Sequence, residues 1–147
     1  MPTTFSHFGL CVSDLDRAMR FYCDGLGFEP AIRYEVGSEF SDALEIGGDV
    51  EVVSQFITRD GVSIELLHYT TGGVTGRPSA ARNQLGLTHL SLNVDDVDET
   101  AAKLVACGGT VIDSTRTKVD NPDGSQSDFV FVADPDGTRV ELMKLGG

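Results

Sequence analysis

From His7 to Val12 the chain alternates, with Phe8, Leu10 and Val12 on one side and His7, Gly9 and Cys11 on the other. A period of two predicts a half-buried strand. Ser13 and Asp14 then offer a cap, and Leu15, Ala18, Met19, Tyr22 and Leu26 recur at helical spacing until Gly25 and Gly27 stop the helix. Strand-like stretches follow at Phe28–Val36, Ala43–Ile46, Val50–Thr58 and Val62–Tyr69, divided by turns at Gly47-Gly48 and Arg59-Asp60-Gly61. Residues 71–86 are rich in Gly, Pro and Ser and read as a linker, with room for one helical turn at Ser79–Gln84. The pattern then restarts. Leu90, Leu92 and Val94 alternate with His89, Ser91 and Asn93, a helix is predicted over Val97–Cys107, and strands over Thr110–Thr117, Asp128–Ala133 and Thr138–Leu145. Asn121-Pro-Asp-Gly124 and Asp134-Pro-Asp-Gly137 are turn sequences.

The restart is a repeat in residues as well as in pattern. At an offset of 82, His7 falls on His89, Val12 on Val94, Asp14 on Asp96 and Asp16 on Asp98. At an offset of 76, Asp60-Gly61 falls on Asp136-Gly137 and Glu65 on Glu141. The expected organisation is a first module over 1–70, a linker over 71–86 and a second module over 87–147. Each module carries one His on its first strand and one Glu on its last.

Strand alternation turns both His away from the greasy face that packs under the helix. Glu65 shares its face with Leu67 and Tyr69, and Glu141 with Met143, while Ile64, Leu66, Val140 and Leu142 fill the opposite side. Glutamates so flanked are costly to bury without a partner. A lone strand His or Glu is usually a surface or hydrogen-bonded residue, but four matched positions point to one shared site, and a divalent cation is the partner that satisfies it. His68 lies an odd number of residues from Glu65, faces the other way, and reads as structural or surface.

Bulk properties narrow the partners. The formal net charge is −12, and the eleven Lys and Arg never cluster, which argues against nucleic acid. No apolar run approaches the ~20 residues of a membrane span, and the N-terminus shows no basic-then-apolar signal pattern, so a cytoplasmic location is expected. Cys11, Cys23 and Cys107 are scattered and odd in number, and read as free thiols.

The stretch His7 to Phe28, with Asp14-Leu-Asp-Arg-Ala-x-x-Phe-Tyr-x-x-x-Leu-Gly-Phe28, closes on Ile64-Glu65-Leu. Thr88-His89 through Val94-Asp-Asp-Val97 closes on Asp134-Pro-Asp-Gly137 and Val140-Glu141-Leu. Together they resemble the vicinal oxygen chelate superfamily, which includes glyoxalase I, methylmalonyl-CoA epimerase, extradiol dioxygenases, fosfomycin-modifying enzymes and bleomycin-sequestering proteins. The resemblance spans essentially the whole chain. It implies an α+β fold of two tandem βαβββ modules forming an open, cup-shaped mixed sheet around a metal. It maps the metal ligands onto His7, Glu65, His89 and Glu141, with Glu141 and Glu65 as catalytic candidates and Cys11, Leu67, Tyr69, Asn93 and Met143 lining the substrate pocket.

The His-Glu-His-Glu set is similar to that of bacterial glyoxalase I. It implies one divalent ion per site (Ni, Co, Mn or Zn ahead of Fe), and a lyase or isomerase that chelates a small oxygenated substrate and stabilises an enediolate during proton transfer. Either Glu serves as general base, the glyoxalase analogy favouring Glu141. A homodimer acting on a small molecule is the expected assembly. Where glyoxalase I-like sequences carry an Arg and an Asn that help hold glutathione, this chain has Cys11 and Tyr69. The fold hosts several chemistries. The alternatives are a methylmalonyl-CoA epimerase-like isomerase, a bleomycin-resistance-type protein that sequesters a natural product, and an extradiol-type dioxygenase.

Overall fold

The computed structural model describes residues 2–147, which form two compact units dividing between Gly76 and Arg77. In the first unit, strand β1 (Phe8–Cys11) leads into helix α1 (Leu15–Met19), followed by β2 (Glu29–Val36), β3 (Glu51–Arg59) and β4 (Val62–Thr71). In the second, β5 (Leu90–Asn93) leads into α2 (Val97–Ala106), then β6 (Thr110–Asp120), β7 (Gln126–Ala133) and β8 (Arg139–Lys144). Each unit is one βαβββ module. Its four strands form a mixed sheet, ordered β1-β4-β3-β2 in one unit and β5-β8-β7-β6 in the other. The first strand of each module runs parallel to the last, and the remaining pairs are antiparallel. The fold class is therefore α+β, built from two four-stranded mixed sheets and few helices.

The repeated Asp makes the same cap twice. Asp14 accepts from the Arg17 backbone N–H at 2.8 Å, and Asp96 from that of Glu99 at 2.9 Å. These bonds satisfy amides that would otherwise be orphaned at each helix start. In the first module Phe21 and Tyr22 are fully buried, in a core with Val12, Leu26, Ile57, Ile64 and Leu66. In the second, Val97, Ala101 and Leu104 of α2 meet Val130, Val132, Val140 and Leu142 of the sheet. Burying each large apolar side chain contributes about 1.5–3 kcal/mol.

Three local expectations are corrected. The first helix keeps α geometry only to Met19 and continues over Arg20–Gly25 as a π-helical turn, with the Leu26 N–H bonded to the Phe21 carbonyl. The wider turn accommodates two adjacent aromatics, Phe21 and Tyr22, at zero exposure. Ala43–Ile46 is not a strand. A 3₁₀ turn at Ser38–Phe40 continues through bonds from Leu44 to Phe40 and Ile46 to Ser41, and Glu45 sits at φ +56°. Asp and Ser at 41–42 favour such local turns over a ladder. The segment Ser79–Gln84 makes a turn rather than a helix, held by the backbone bond from Gln84 N–H to the Ala81 carbonyl and by the Ser79 hydroxyl, which donates to the same carbonyl and to Gln84 Oε1.

Arg116 ties α2 to its sheet. Its guanidinium reaches Asp98 in the first turn of α2 at 2.6 Å and Asp128 of β7 at 2.5 Å. These bonds and the cation's charge hold both carboxyls below their usual pKa.

Candidate metal half-sites

In the first module, Gly9 pairs with Glu65 across β1 and β4, and Glu65 pairs with Phe56 across β4 and β3. In the second, Ser91 pairs with Glu141, and Glu141 with Phe131. Cross-strand partners share a face, so the register places the Glu between the first strand and a Phe, with the His two residues upstream on that face. His7 meets Phe56 edge-on, with ring centroids 4.9 Å apart at 76°, and His89 meets Phe131 at 5.1 Å and 84°. The two modules thus repeat the same Glu–Phe register and the same edge-on His–Phe contact.

Each imidazole is also braced by the residue before it. Ser6 Oγ lies 2.7 Å from His7 Nδ1, and Thr88 Oγ1 lies 2.6 Å from His89 Nδ1. With Nδ1 so engaged, Nε2 is the nitrogen left for a ligand role. His7 Nε2 stands 3.4 Å from Glu65 Oε1, the two side chains being 32% and 21% exposed. Imidazole nitrogen and carboxylate oxygen suit a borderline divalent cation. On its donor chemistry, and with the hydroxyl engaging Nδ1 so that Nε2 faces the ligand role, each half-site fits such an ion. Each module offers one such His and one such Glu, and among the described residues no three His, Cys, Asp or Glu side chains form a group that could hold a metal ion.

The two glutamates are held differently. Glu65 Oε2 accepts a 2.5 Å bond from Ser54, itself 4% exposed. Glu141 Oε1 accepts a 2.9 Å bond from the exposed Ser91. Counting along the repeat, Gly9 stands where Ser91 does and Phe129 where Ser54 does, so the serines grip from opposite flanks.

The other predicted site residues divide between the modules. Cys11 pairs with Leu67 and shares its face with Tyr69 near Glu65, and Asn93 pairs with Met143 beside Glu141. Burial first, then the nearby Cys11 and Glu65, raises the Tyr69 phenol above its ordinary pKa. His68 lies on the helix side, its ring nitrogen Nδ1 3.2 Å from the Val12 carbonyl, and serves the structure.

Sequence reasoning missed the supports. Ser6 falls on Thr88 at the same offset of 82 as the histidines, so the hydroxyl-His dipeptide was present in the repeat as a signal. Ser54, Phe56 and Phe131 become visible only once β3 and β7 are in register with β4 and β8.

Residues 4–142 match the profile of the Glyoxalase/Bleomycin resistance protein/Dioxygenase superfamily. The chain belongs to this superfamily. Among curated relatives it is 31% identical over 143 residues to the uncharacterized protein YaeR of Escherichia coli (strain K12), covering 94% of this chain and 93% of that protein. It is 30% identical over 145 residues to a probable lactoylglutathione lyase of Synechocystis, covering 94% and 92%. Among solved structures, a glyoxalase family protein from Bacillus cereus superposes with a TM-score of 0.79 at 20% identity, covering 98% of this chain and 95% of that one. The fosfomycin resistance protein FosX from Listeria monocytogenes, solved with Mn(II) and sulfate, gives 0.59 at 18%, covering 99% and 94%. These two establish the shared glyoxalase-type fold, which the superfamily uses for more than one activity. No helix among the described residues is long and apolar enough to cross a membrane.

Proposed function

We propose that this superfamily member is a metal-dependent lyase or isomerase of the glyoxalase type, acting on a small oxygenated substrate. The observation that carries this reading is the duplicated half-site, in which each His has Nδ1 braced by a hydroxyl and shares a sheet face with a Glu. The relatives named lactoylglutathione lyase support the reaction class. His7, Glu65, His89 and Glu141 would hold one divalent ion of the Ni, Co, Mn or Zn kind, the two pairs coming from two modules of one chain or of a homodimer. Bound there, the cation would supply Lewis-acid stabilisation of negative charge developing on substrate oxygens.

The chain's own groups divide the remaining work. Glu65, gripped by buried Ser54 and facing His7, is the fixed member. Glu141, tethered among the described residues by exposed Ser91, is the carboxylate free to swing, take the proton from one substrate carbon and deliver it to the carbon that ends up protonated in the product. Ser91 is placed to receive Glu141 back after each transfer. Replacing Glu141 by Gln keeps the shape and removes the base, so turnover should vanish while fold and metal content persist. Retained turnover in that variant would defeat the assignment.

One observation favours a second reading. Tyr34 and Phe56 meet edge-on, with centroids 6.3 Å apart, and Phe56 shares the Glu65 face with Leu67 and Tyr69. Such a face suits sequestration of an aromatic natural product. A sequestering protein would still quench an aromatic ligand's fluorescence after chelation, whereas the enzyme would lose turnover.

A further inference from the structure

The second module carries two guanidiniums that the reaction scheme above leaves unused. Arg139 lies two residues before Glu141 on β8, hence on the same face and about 7 Å along the strand. Arg82 sits with its guanidinium carbon 5.8 Å from the centroid of Phe131, the cross-strand partner of Glu141 and the edge-on neighbour of His89. Both cations therefore flank the half-site.

Neither meets a carboxylate among the described residues. Arg82 donates to the backbone carbonyls of Ser79 and Thr88, and Arg139 to that of Gly137. With five N–H groups each, both keep donors to spare. Burial first, then the charge of Arg139, lowers the Arg82 pKa from the ordinary arginine value. In a chain with 23 acidic and 11 basic residues, two neighbouring cations with no ion pair of their own among the described residues stand out. Like charges set side by side repel, and an oxyanion placed between them turns that repulsion into attraction.

We propose that Arg82 and Arg139 form an oxyanion subsite, so that the substrate carries a carboxylate, phosphate or phosphonate group bound beside the His89–Glu141 pair. This identification of the substrate class rests on the function proposed above, while the anion site itself does not. Arg82 is anchored by its carbonyl contacts and by Phe131, and so presents a fixed fork. Arg139 has one backbone bond and closes on the anion from the strand side. The two together select for charge at one end of the molecule, leaving the other end for proton transfer.

The test is a titration of the metal-free protein, in chelator at pH 8 and constant ionic strength, with inorganic phosphate and separately with acetate. The arginine side-chain N–H resonances are followed by NMR. The expected result is a saturable shift of the Arg82 and Arg139 signals with at least one of the two anions, the tighter one naming the substrate's group. Affinity should fall about tenfold or more in Arg139→Gln and stay unchanged in Arg77→Gln, an exposed control. Arg139 is half-exposed and lies outside the core, so a preserved amide spectrum in the variant is expected. Shifts no larger than those given by chloride, or equal binding by Arg139→Gln, would overturn the subsite. Because chelator is present throughout, its failure says nothing about the metal, and failure of the metal reading would leave this titration intact.

Discussion

Thr88 offers a sharp perturbation of the second half-site. Its hydroxyl lies 2.6 Å from His89 Nδ1, and the pair is half-buried. If Nε2 binds a cation, Nδ1 must carry the hydrogen and the hydroxyl must accept it. Thr88→Val keeps the β-branched shape and removes only this acceptor, so the imidazole loses its tautomer lock and orientation. Partners that orient a metal-binding His typically contribute 10–100-fold in affinity, or about 1.4–2.7 kcal/mol. The Ser6–His7 pair is more exposed, and water can replace the hydroxyl, so Ser6→Ala should cost less than about tenfold. Both values can be read by competing the protein against a chromophoric chelator for Co(II) or Zn(II) at neutral pH. An affinity of Thr88→Val within about twofold of wild type, while His89→Ala loses the ion, would refute the idea that the hydroxyl orients the ligand.

Further predictions separate the other elements. Glu65→Gln should lose the metal, whereas Glu141→Gln should keep it and lose turnover; equal metal loss in both would remove the distinction drawn from Ser54 and Ser91. Asp98 and Asp128 have lowered pKa values because of Arg116, so their contribution to stability is present above the ordinary carboxylate value of about 3.9 and lost as pH falls through the lowered values. Arg116→Met should accordingly be less stable than wild type in urea at pH 7, with the gap closing under acid. A constant gap across that range would contradict the tie. Leu104, with no exposed surface, should cost about 3 kcal/mol on replacement by Ala, measured by denaturant unfolding.

Much of this was readable in the chain. Alternation around His7 and His89 marks the strands that begin each module, and the Asp14 and Asp96 caps stand where the offset of 82 puts them. The three-strand count after the second helix follows from period changes bounded by Gly or by Asp-Gly turns, whereas in the first module the pattern offered one strand too many and only the family resemblance implied the βαβββ order. What was not readable depends on quantities that periodicity does not carry. A π turn adds one residue to a helical turn, a change too small to displace the pattern of Leu15, Ala18, Tyr22 and Leu26. Ala43–Ile46 is apolar enough for a strand, and only the local bonding of Ser41 and Asp42 makes it a turn. The supports of the half-sites are set by cross-strand register. Ser54 reaches Glu65 because β3 and β4 pair Ser54 with Leu67 and Phe56 with Glu65, a relation between segments and not within one. The difference between the two glutamates lives in that register, and so did not show in the symmetric repeat.

Metal analysis tests the central claim most directly: the protein is purified without added metal beside its His89→Ala variant, and the divalent ion per site is counted. The wild type should hold one Ni, Co, Mn or Zn ion per site, and the variant should lose it. A wild type that stays metal-free even after supplementation, or a variant that retains the full complement, would contradict it.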